Sequence, residues 1–269
     1  MPRATWSGAI SFGLVNIPVK LYGAVKDKAV HFHQIDGETG SRVRQKRVSE
    51  ATGEEIPYDR IVKGYELGGG RYVTITGDDL AAIGPRGTGT FDLEDFVDLD
   101  AIDPMYFDAT YWAVPDGPTA GKAYALLVEA MQRSGRVAIG RFVLRSKQHL
   151  AAIRAVDGAL AVETMVFPDE VVDQSVFDEL PVEATVTDRE VQAAEQLIDS
   201  LTTEWEPDRY HDTYREQLLA LIDRKAAGEE IVTAPGDDEP APVIDLMAAL
   251  EASLTARKEA KRSGREQTA

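Results

Sequence analysis

The sequence contains no cysteine and only four histidines. The absence of cysteine excludes disulfide bonds, thiolate metal sites and cysteine nucleophiles, and it is compatible with a reducing compartment. There is no run of eighteen apolar residues, and the first residues, MPRATWSG, lack the basic and then apolar order of a secretory signal. We therefore expect a chain that stays in the cytoplasm and has no membrane partner.

Common catalytic motifs are also missing. The sequence holds neither an HExxH nor a GxSxG motif. A glycine-rich stretch at 117–123 resembles a phosphate-binding loop, but it is one residue too short and has Ala123 where a serine or threonine would hold magnesium. We expect no catalytic residue and no cofactor.

Potential metal ligands are sparse. His31 and His33 would face the same side of a strand, but no third ligand lies near them in the sequence, so we interpret them as structural histidines. Asp78 and Asp79 follow Thr76 at a position typical of a helix N-terminus, which favours capping over cation binding. We expect no metal site.

Acidic residues outnumber basic ones by 46 to 29, which gives a formal net charge of −17. Such a balance ordinarily argues against a nucleic-acid partner. The charges are segregated, however: residues 1–70 hold 10 bases and 8 acids, residues 121–160 hold 7 and 2, and residues 161–230 hold 5 and 19. This distribution predicts a basic surface within an acidic molecule.

Two basic clusters are candidates for that surface. If 42–48 is a strand, Arg42, Arg44 and Lys46 share one face, and Arg47 is the next residue. A solvated strand face is the alternative from these residues alone. The second cluster is Arg141, Arg145 and Lys147, which share parity if their strand runs straight, with Arg154 nearby. Lys20 and Lys122 complete the candidate set. Cations of this kind position a duplex without reading its sequence.

The first half of the chain has the pattern of many short strands, which is typical of a barrel or a sandwich. A helix is predicted at 122–132 from its apolar spacing. The predicted strands are 8–14, 15–25, 30–35, 42–48, 71–75, 90–97, 110–114, 136–144, 150–156 and 159–167.

The chain from Thr187 onward is predicted to be helical. Thr187 and Glu190 form a capping box before a helical apolar face, and a second helix is predicted at 212–227, with Gly228 as its stop. Residues 229–242 are acidic and rich in proline, which indicates a flexible linker. Beyond it, 243–269 has a short amphipathic helix and a short basic end. The apolar residues of this helix are Val243, Leu246, Met247, Leu250 and Leu254.

Several long strings, in order, resemble those of bacterial Ku, the DNA-end-binding protein of prokaryotic non-homologous end joining. The resemblance covers residues 1–228 almost continuously. Its strings are WSGAISFGLVNIPVKLY at 6–22, FHQI at 32–35, RVRQKRV at 42–48, EEIPYDRIVKGYE at 54–66, VTITGDDL at 73–80, DAIDPMYFDATYW at 100–112, RVAIGRFVLRSKQHLAAIR at 136–154 and PDRYHDTYREQLLALI at 207–222.

The resemblance implies a β-rich α+β fold, with a Ku-type β-barrel core, an arm for dimerisation and DNA encirclement, and C-terminal helices. Residues 1–228 would be this core. The resemblance further implies a nucleoid-associated homodimeric ring around double-stranded DNA ends. It also implies recruitment of the multifunctional ATP-dependent DNA ligase D, for which 243–254 would be the docking segment.

The sequence departs from the family pattern at two places. Many relatives carry a CxxC pair where this chain has Ser49 and Thr52, so no zinc site is expected there. Some relatives end in a long lysine-rich extension, whereas only a few basic residues follow Leu254. Two rival functions remain from the residues alone: an acidic scaffold whose basic strands contact proteins, and a magnesium-dependent nuclease that uses the acidic clusters.

Overall fold

The computed structural model describes residues 3–83, 89–145, 147–182, 184–228 and 247–256. The chain divides into two compact units, Met1–Asp173 and Gln174–Ala269. Within the described ranges, no helix is both long enough and apolar enough to cross a membrane.

Seven strands of the first unit close into a barrel, in the order β1, β2, β6, β9, β8, β7, β5. Neighbouring strands are antiparallel except β1 and β5, whose parallel pairing closes the barrel. The strands are β1 (Trp6–Phe12), β2 (Val15–Gly23), β5 (Thr90–Asp98), β6 (Phe107–Pro115), β7 (Arg136–Leu144), β8 (Lys147–Val156) and β9 (Ala159–Met165). The predicted barrel fold is confirmed, and the sandwich alternative is wrong.

Alternation of apolar and polar residues builds the barrel interior. On β2, Ile17, Val19 and Leu21 are buried, whereas Pro18 and Lys20 face outward. A slip of one residue would expose all three buried side chains, each worth about 1.5 to 3 kcal/mol when buried, so the pattern fixes the register. The largest buried side chains include Phe91 and Phe142, whose rings stack with their centroids 4.9 Å apart.

Gly140 allows β7 to lie close against β5. A Cβ atom at this position would overlap the carbonyl oxygen of Asp92 and contact the Phe91 ring. The register of the same strand pair shifts between Leu93 and Asp95, which marks a β-bulge. A side chain at position 140 would therefore push apart the strands that hold the bulge.

Helix α2 (Ala120–Ser134) packs against the barrel and confirms the predicted helix at 122–132. Its buried Tyr124 hydroxyl donates a hydrogen bond to the carbonyl oxygen of Ala113 (2.7 Å) and accepts one from the backbone N–H of Leu160 (2.8 Å). Ala113 and Leu160 are opposite each other in β6 and β9. Burial raises the pKa of Tyr124, so the hydroxyl keeps its proton and links the helix to two strands.

Residues 24–89 lie between β2 and β5 in the sequence; we call this segment the insertion. It contains the two-stranded sheet of β3 (Lys63–Glu66) and β4 (Tyr72–Ile75), and the helix α1 (Gly77–Ile83). The helix start predicted after Thr76 is confirmed, and Thr76 and Asp79 cap α1 reciprocally. The strand β3 was not predicted.

The predicted strands at 30–35 and 42–48 are wrong. The structure has only two isolated β-bridges there, between Ile35 and Arg42 and between Val48 and Glu55. Each bridge is closed by a tight local turn, and among the described residues neither segment pairs with a strand beyond these isolated bridges. A continuous ladder needs a neighbouring strand, so β-like composition alone did not produce strands here.

The regular secondary structure of the second unit is helical. Helix α3 (Asp188–Leu201) starts with the predicted capping box of Thr187 and Glu190, and α4 (Thr213–Ala226) is capped by the Asp212 side chain. A further helix, α5, spans residues 247–256. Both predicted helices before the linker are therefore confirmed. Short 3₁₀ turns across the two units are Tyr58–Arg60, Leu99–Ala101, Pro104–Tyr106, Pro168–Glu170, Gln174–Val176 and Pro207–Arg209.

Candidate nucleic-acid interface

The basic segment 42–47 connects two tight turns in the insertion. Before it, the backbone N–H of Val43 donates to the carbonyl oxygen of Gln34 (3.0 Å). After it, the N–H of Ile56 donates to the carbonyl oxygen of Arg47 (2.8 Å). All six residues of the segment are exposed. The turns therefore hold an extended cationic stretch of chain in solvent.

The four cations of this segment have different neighbours. Arg42 donates from Nη2 to Nδ1 of His33 (2.9 Å), and the Arg47 guanidinium lies 4.9 Å from the centre of the Tyr58 ring. Lys46 forms an ion pair with Glu55 (2.6 Å). Arg44 has no ion pair or hydrogen bond with any described residue. Three of the four charges are thus not neutralised by a carboxylate in the described part of the chain.

The second basic cluster lies on a hairpin and not along one straight strand. Arg141 is in β7, Arg145 is in the turn with φ of 50°, and Lys147 begins β8, where it pairs with Leu144. The shared parity expected for these three residues is wrong, because the chain reverses direction between the first and the last of them. The turn still presents Arg145 to solvent.

Carboxylates form ion pairs with the two strand cations of this hairpin. Nε and Nη2 of Arg141 donate to the two carboxylate oxygens of Glu94 (2.7 and 2.9 Å), and Lys147 lies 3.7 Å from a carboxylate oxygen of Glu170. The hydrogen bond from Arg141 lowers the pKa of Glu94, so this carboxylate stays charged. These two cations face carboxylates that a phosphate would have to displace.

Lys20 and Lys122 also differ in whether a carboxylate pairs with them. Lys20 on β2 donates to Asp116 (2.7 Å), and this hydrogen bond raises the pKa of Lys20. Lys122, in the first turn of α2, is exposed and has no ion pair with a described residue. Two further barrel cations are also paired, Arg136 with Asp98 and Arg154 with Glu163, both at 2.7 Å.

The pairing divides the candidate cations into two groups. Most cations on the barrel strands form ion pairs with carboxylates. By contrast, the insertion, the turn at Arg145 and the first turn of α2 at Lys122 expose cations that no described carboxylate neutralises. Sequence reasoning missed five further exposed cations of the insertion. They could have been found from their position, because they lie between β2 and β5 in the sequence, as the basic segment does. They are Lys26, Lys28, Arg60, Lys63 and Arg71.

The turn at Ser49 and Thr52 is closed by hydrogen bonds. The N–H of Ser49 donates to the carbonyl oxygen of Glu54 (2.8 Å), and the N–H of Gly53 donates to that of Ser49 (2.7 Å). His31 lies 3.7 Å from Asp27, while His33 contacts Arg42. The described residues contain no group of three or more side chains able to hold a metal ion.

The family model described as the Ku70/Ku80 beta-barrel domain matches residues 11–193. The chain belongs to the Ku family. The matched region contains the insertion, six of the seven barrel strands in full and the hairpin of β7 and β8. Both basic clusters therefore lie in the part of the chain that defines membership of the Ku family.

Relatives extend this likeness to the whole chain. Non-homologous end joining protein Ku of Anaeromyxobacter sp. (strain K) is 47% identical over 270 residues, covering 100% of this chain and 90% of the relative. The protein of the same name from Mycobacterium tuberculosis (strain ATCC 25618 / H37Rv) is 41% identical over 266 residues, covering 96% and 97%. Non-homologous end joining protein Ku 1 of Saccharopolyspora erythraea is 45% identical over 258 residues, covering 94% and 78%.

The C-terminal segment of this Ku chain is described only in part. The linker at 229–242 and two of the predicted docking residues, Val243 and Leu246, lie outside the described residues. Met247, Leu250 and Leu254 are on α5, and all three are half-buried. The helix predicted from their spacing is therefore confirmed over 247–256.

Apolar side chains are exposed along the insertion and the second unit. On the β3–β4 hairpin, Tyr65 is 68% exposed and Val73 is 43% exposed, and they are opposite each other in register. In the second unit, Trp205 and Tyr210 stack with their ring centroids 5.1 Å apart while both remain exposed. Both units therefore expose apolar side chains to solvent.

Proposed function

We propose that this chain binds the ends of double-stranded DNA, without sequence specificity, as a homodimeric ring that acts in double-strand break repair by non-homologous end joining. The Ku relatives above carry that repair pathway in their names. The chain would work in the cytoplasm at the nucleoid. It would act by binding and recruitment, and it would catalyse no reaction.

One observation carries the proposal: the insertion exposes cations that no described carboxylate neutralises, whereas the barrel strands neutralise most of theirs. A duplex presents about one phosphate charge per 1.7 Å of its axis, so a few free cations per protomer supply substantial affinity. The remaining acidic surface of a chain with net charge −17 repels DNA elsewhere. Arg44 is the best-placed contact, followed by Arg42, Arg47, Arg145 and Lys122.

A second copy of the chain is the proposed cover for the β3–β4 hairpin. Almost every residue of this hairpin is exposed, and a two-stranded hairpin is at best marginally stable alone in water. Its aromatic and β-branched side chains supply the apolar area that a symmetric interface requires. If two insertions close a ring, only a free duplex end enters it, and end specificity follows from topology.

The C-terminal segment is the proposed docking site for the ATP-dependent DNA ligase D. Val243, Leu246, Met247, Leu250 and Leu254 recur at helical spacing and would form one apolar stripe on the helix. An amphipathic helix of this kind binds a groove through residues spaced three and four apart. This role is carried by the family resemblance together with that spacing.

Charge reversal in the basic segment tests the proposal. The triple substitution Arg42→Glu, Arg44→Glu and Lys46→Glu should abolish binding to a linear duplex, because it replaces three cations by anions in the insertion. Binding is measured by electrophoretic mobility shift, and folding and dimerisation by circular dichroism and light scattering. A triple variant that remains folded and dimeric and still binds linear duplex with wild-type affinity would remove this segment from the interface.

A matched control changes the charge equally at another place. Arg209→Glu, Arg224→Glu and Lys225→Glu alter three exposed cations of the second unit. This control should lose much less affinity than the insertion variant. Equal losses would mean that net charge, and not the insertion, determines binding.

A further inference from the structure

The apolar face of α5 is partly covered by its own chain. Met247, Leu250 and Leu254 are half-buried, as is Ala249, whereas Ala248, Ala252 and Ser253 are exposed. These three half-buried residues belong to the stripe that we assign above to ligase docking. Other residues of the same chain therefore already cover part of this stripe.

Among the described residues, helix α3 forms an ion pair with α5. Nη2 of Arg189, near the start of α3, lies 3.1 Å from Oε1 of Glu251, and both side chains are largely exposed. Residues 189, 193 and 197 follow one another along one face of α3 because helical neighbours recur every three or four residues. Ala193 and Leu197 on that face are half-buried, while Val191 and Ile198 on another face are exposed.

The same spacing aligns the ion pair with the apolar stripe on α5. Glu251 is four residues after Met247 and three before Leu254, so the three lie along one edge of the helix. The ion pair therefore borders the half-buried positions of both helices. Small side chains such as Ala193 and Ala194 let a neighbouring helix approach closely, which suits a short apolar stripe.

Charge supports the same pairing. Helix α3 carries Asp188, Glu190, Glu195 and Asp199 against the single base Arg189. The sequence that follows α5 has the opposite sign, with Arg257, Lys258, Lys261, Arg262 and Arg265. Attraction between an acidic helix and a segment that ends in bases favours their association at low ionic strength.

We propose that the face of α3 formed by Ala193, Ala194 and Leu197 is an internal docking site for α5, and that α3 and the ligase compete for one stripe of this helix. The competition rests on the proposed function above; the docking does not. If α5 is bound to α3 for part of the time, its apparent affinity for the ligase equals the intrinsic affinity multiplied by the fraction of α5 that is free. Release of α5 from α3 then becomes a step in ligase recruitment.

Hydrogen exchange of the α5 amides in the full-length chain tests the docking. Arg189→Glu should speed the exchange of 247–256, because it replaces attraction to Glu251 by repulsion. Glu251→Arg should do the same, and the double variant should restore the slow exchange because the ion pair is re-formed with reversed signs. Arg209→Glu, a charge reversal elsewhere in the second unit, should leave this exchange unchanged. Unchanged exchange in both Arg189→Glu and Glu251→Arg would overturn the docking.

Ligase affinity tests the competition. Arg189→Glu lies on α3 and not on the docking helix, and an acidic residue near the start of α3 favours its helix dipole, so α3 itself should not unfold. The variant should bind purified ligase D about two- to fivefold more tightly than wild type, the range expected for loss of an exposed ion pair. Arg209→Glu should bind the ligase like wild type.

The outcomes separate the two proposals. Tighter ligase binding by Arg189→Glu, together with faster α5 exchange, supports docking and competition. Faster exchange with unchanged ligase affinity overturns the competition, although the ligase still binds. If no form of the chain binds the ligase, the recruitment part of the proposed function fails, and the exchange data still decide whether α5 docks on α3.

Discussion

Arg141 and Glu94 face each other across β7 and β5 and share two hydrogen bonds, from Nε to Oε1 (2.7 Å) and from Nη2 to Oε2 (2.9 Å). This bidentate geometry is the strongest arrangement that a guanidinium and a carboxylate adopt. It lies on the barrel surface, beside the bulge where the register of β5 shifts. A residue expected to bind phosphate is therefore already bound by a carboxylate.

The Arg141–Glu94 pair predicts a small acid-dependent loss of stability. Its hydrogen bond lowers the pKa of Glu94 below the ordinary value of 4.5, so the pair stabilises the fold above about pH 4.5 and loses this effect as the pH falls through the lowered value. Glu94→Gln should lower the free energy of unfolding at pH 7 by no more than about 1 kcal/mol, because both side chains are solvent-exposed. Urea unfolding at pH 7 and at pH 3 should show the difference shrinking in acid; a difference that is equal at both values would contradict it.

Free and paired cations should contribute differently to the salt dependence of DNA binding. Arg44→Gln should reduce the slope of log affinity against log salt by about 0.9, the value for one neutralised phosphate. Arg141→Gln should reduce it less, because Glu94 already neutralises this side chain. Fluorescence anisotropy with a labelled linear duplex over a salt series measures both slopes, and equal reductions would show that the pairing does not matter.

The Tyr124 hydroxyl should be an important link between α2 and the barrel. Tyr124→Phe leaves the carbonyl of Ala113 and the N–H of Leu160 without their partner in a buried position. Each buried unsatisfied group costs about 1 to 3 kcal/mol, so the free energy of unfolding should fall by about 2 kcal/mol or more.

Urea denaturation provides the measurement, and Tyr111→Phe is its control. Tyr111 packs against the same core, but its hydroxyl has no hydrogen bond with a described residue. The control should lose little stability. If both variants lost the same amount, removal of a hydroxyl in general, and not the bridge, would explain the effect.

The β3–β4 hairpin should be needed for dimerisation. The double substitution Tyr65→Asp and Val73→Asp puts two carboxylates where a second copy would cover the hairpin, and burying unpaired charges is costly. Light scattering should show a shift from dimer to monomer. Thr74→Asp, at the neighbouring position whose side chain points to the opposite face of the strand, should remain a dimer. A dimeric double variant would exclude this hairpin from the interface.

The barrel strands, each of which pairs with a neighbour on both sides, are the part of the fold that the sequence predicted best. The alternation of Ile17, Val19 and Leu21 and the buried run of β9 follow from contact with one core, and both strands were found. The capping box at Thr187 and the helix start after Thr76 are local in the chain and were equally predictable. Such features depend on few residues or on a pattern that the core enforces.

The candidate interface was less predictable because it depends on contacts distant in sequence. Glu94 lies 47 positions before Arg141, and Asp116 lies 96 positions after Lys20, so no local pattern showed that these cations are paired. Strand composition at 42–48 did not reveal that this segment pairs with no described strand beyond single bridges. The basic segment itself was found from charge alone, since that signal is local.

Comparison of linear and covalently closed DNA of the same sequence tests whether the chain encircles a duplex end. With equal concentrations of the two forms in competition, we expect strong retention of the linear duplex and little of the closed circle, because only DNA that has an end can be threaded through a closed ring. Equal binding to both forms, or binding to neither, would contradict encirclement.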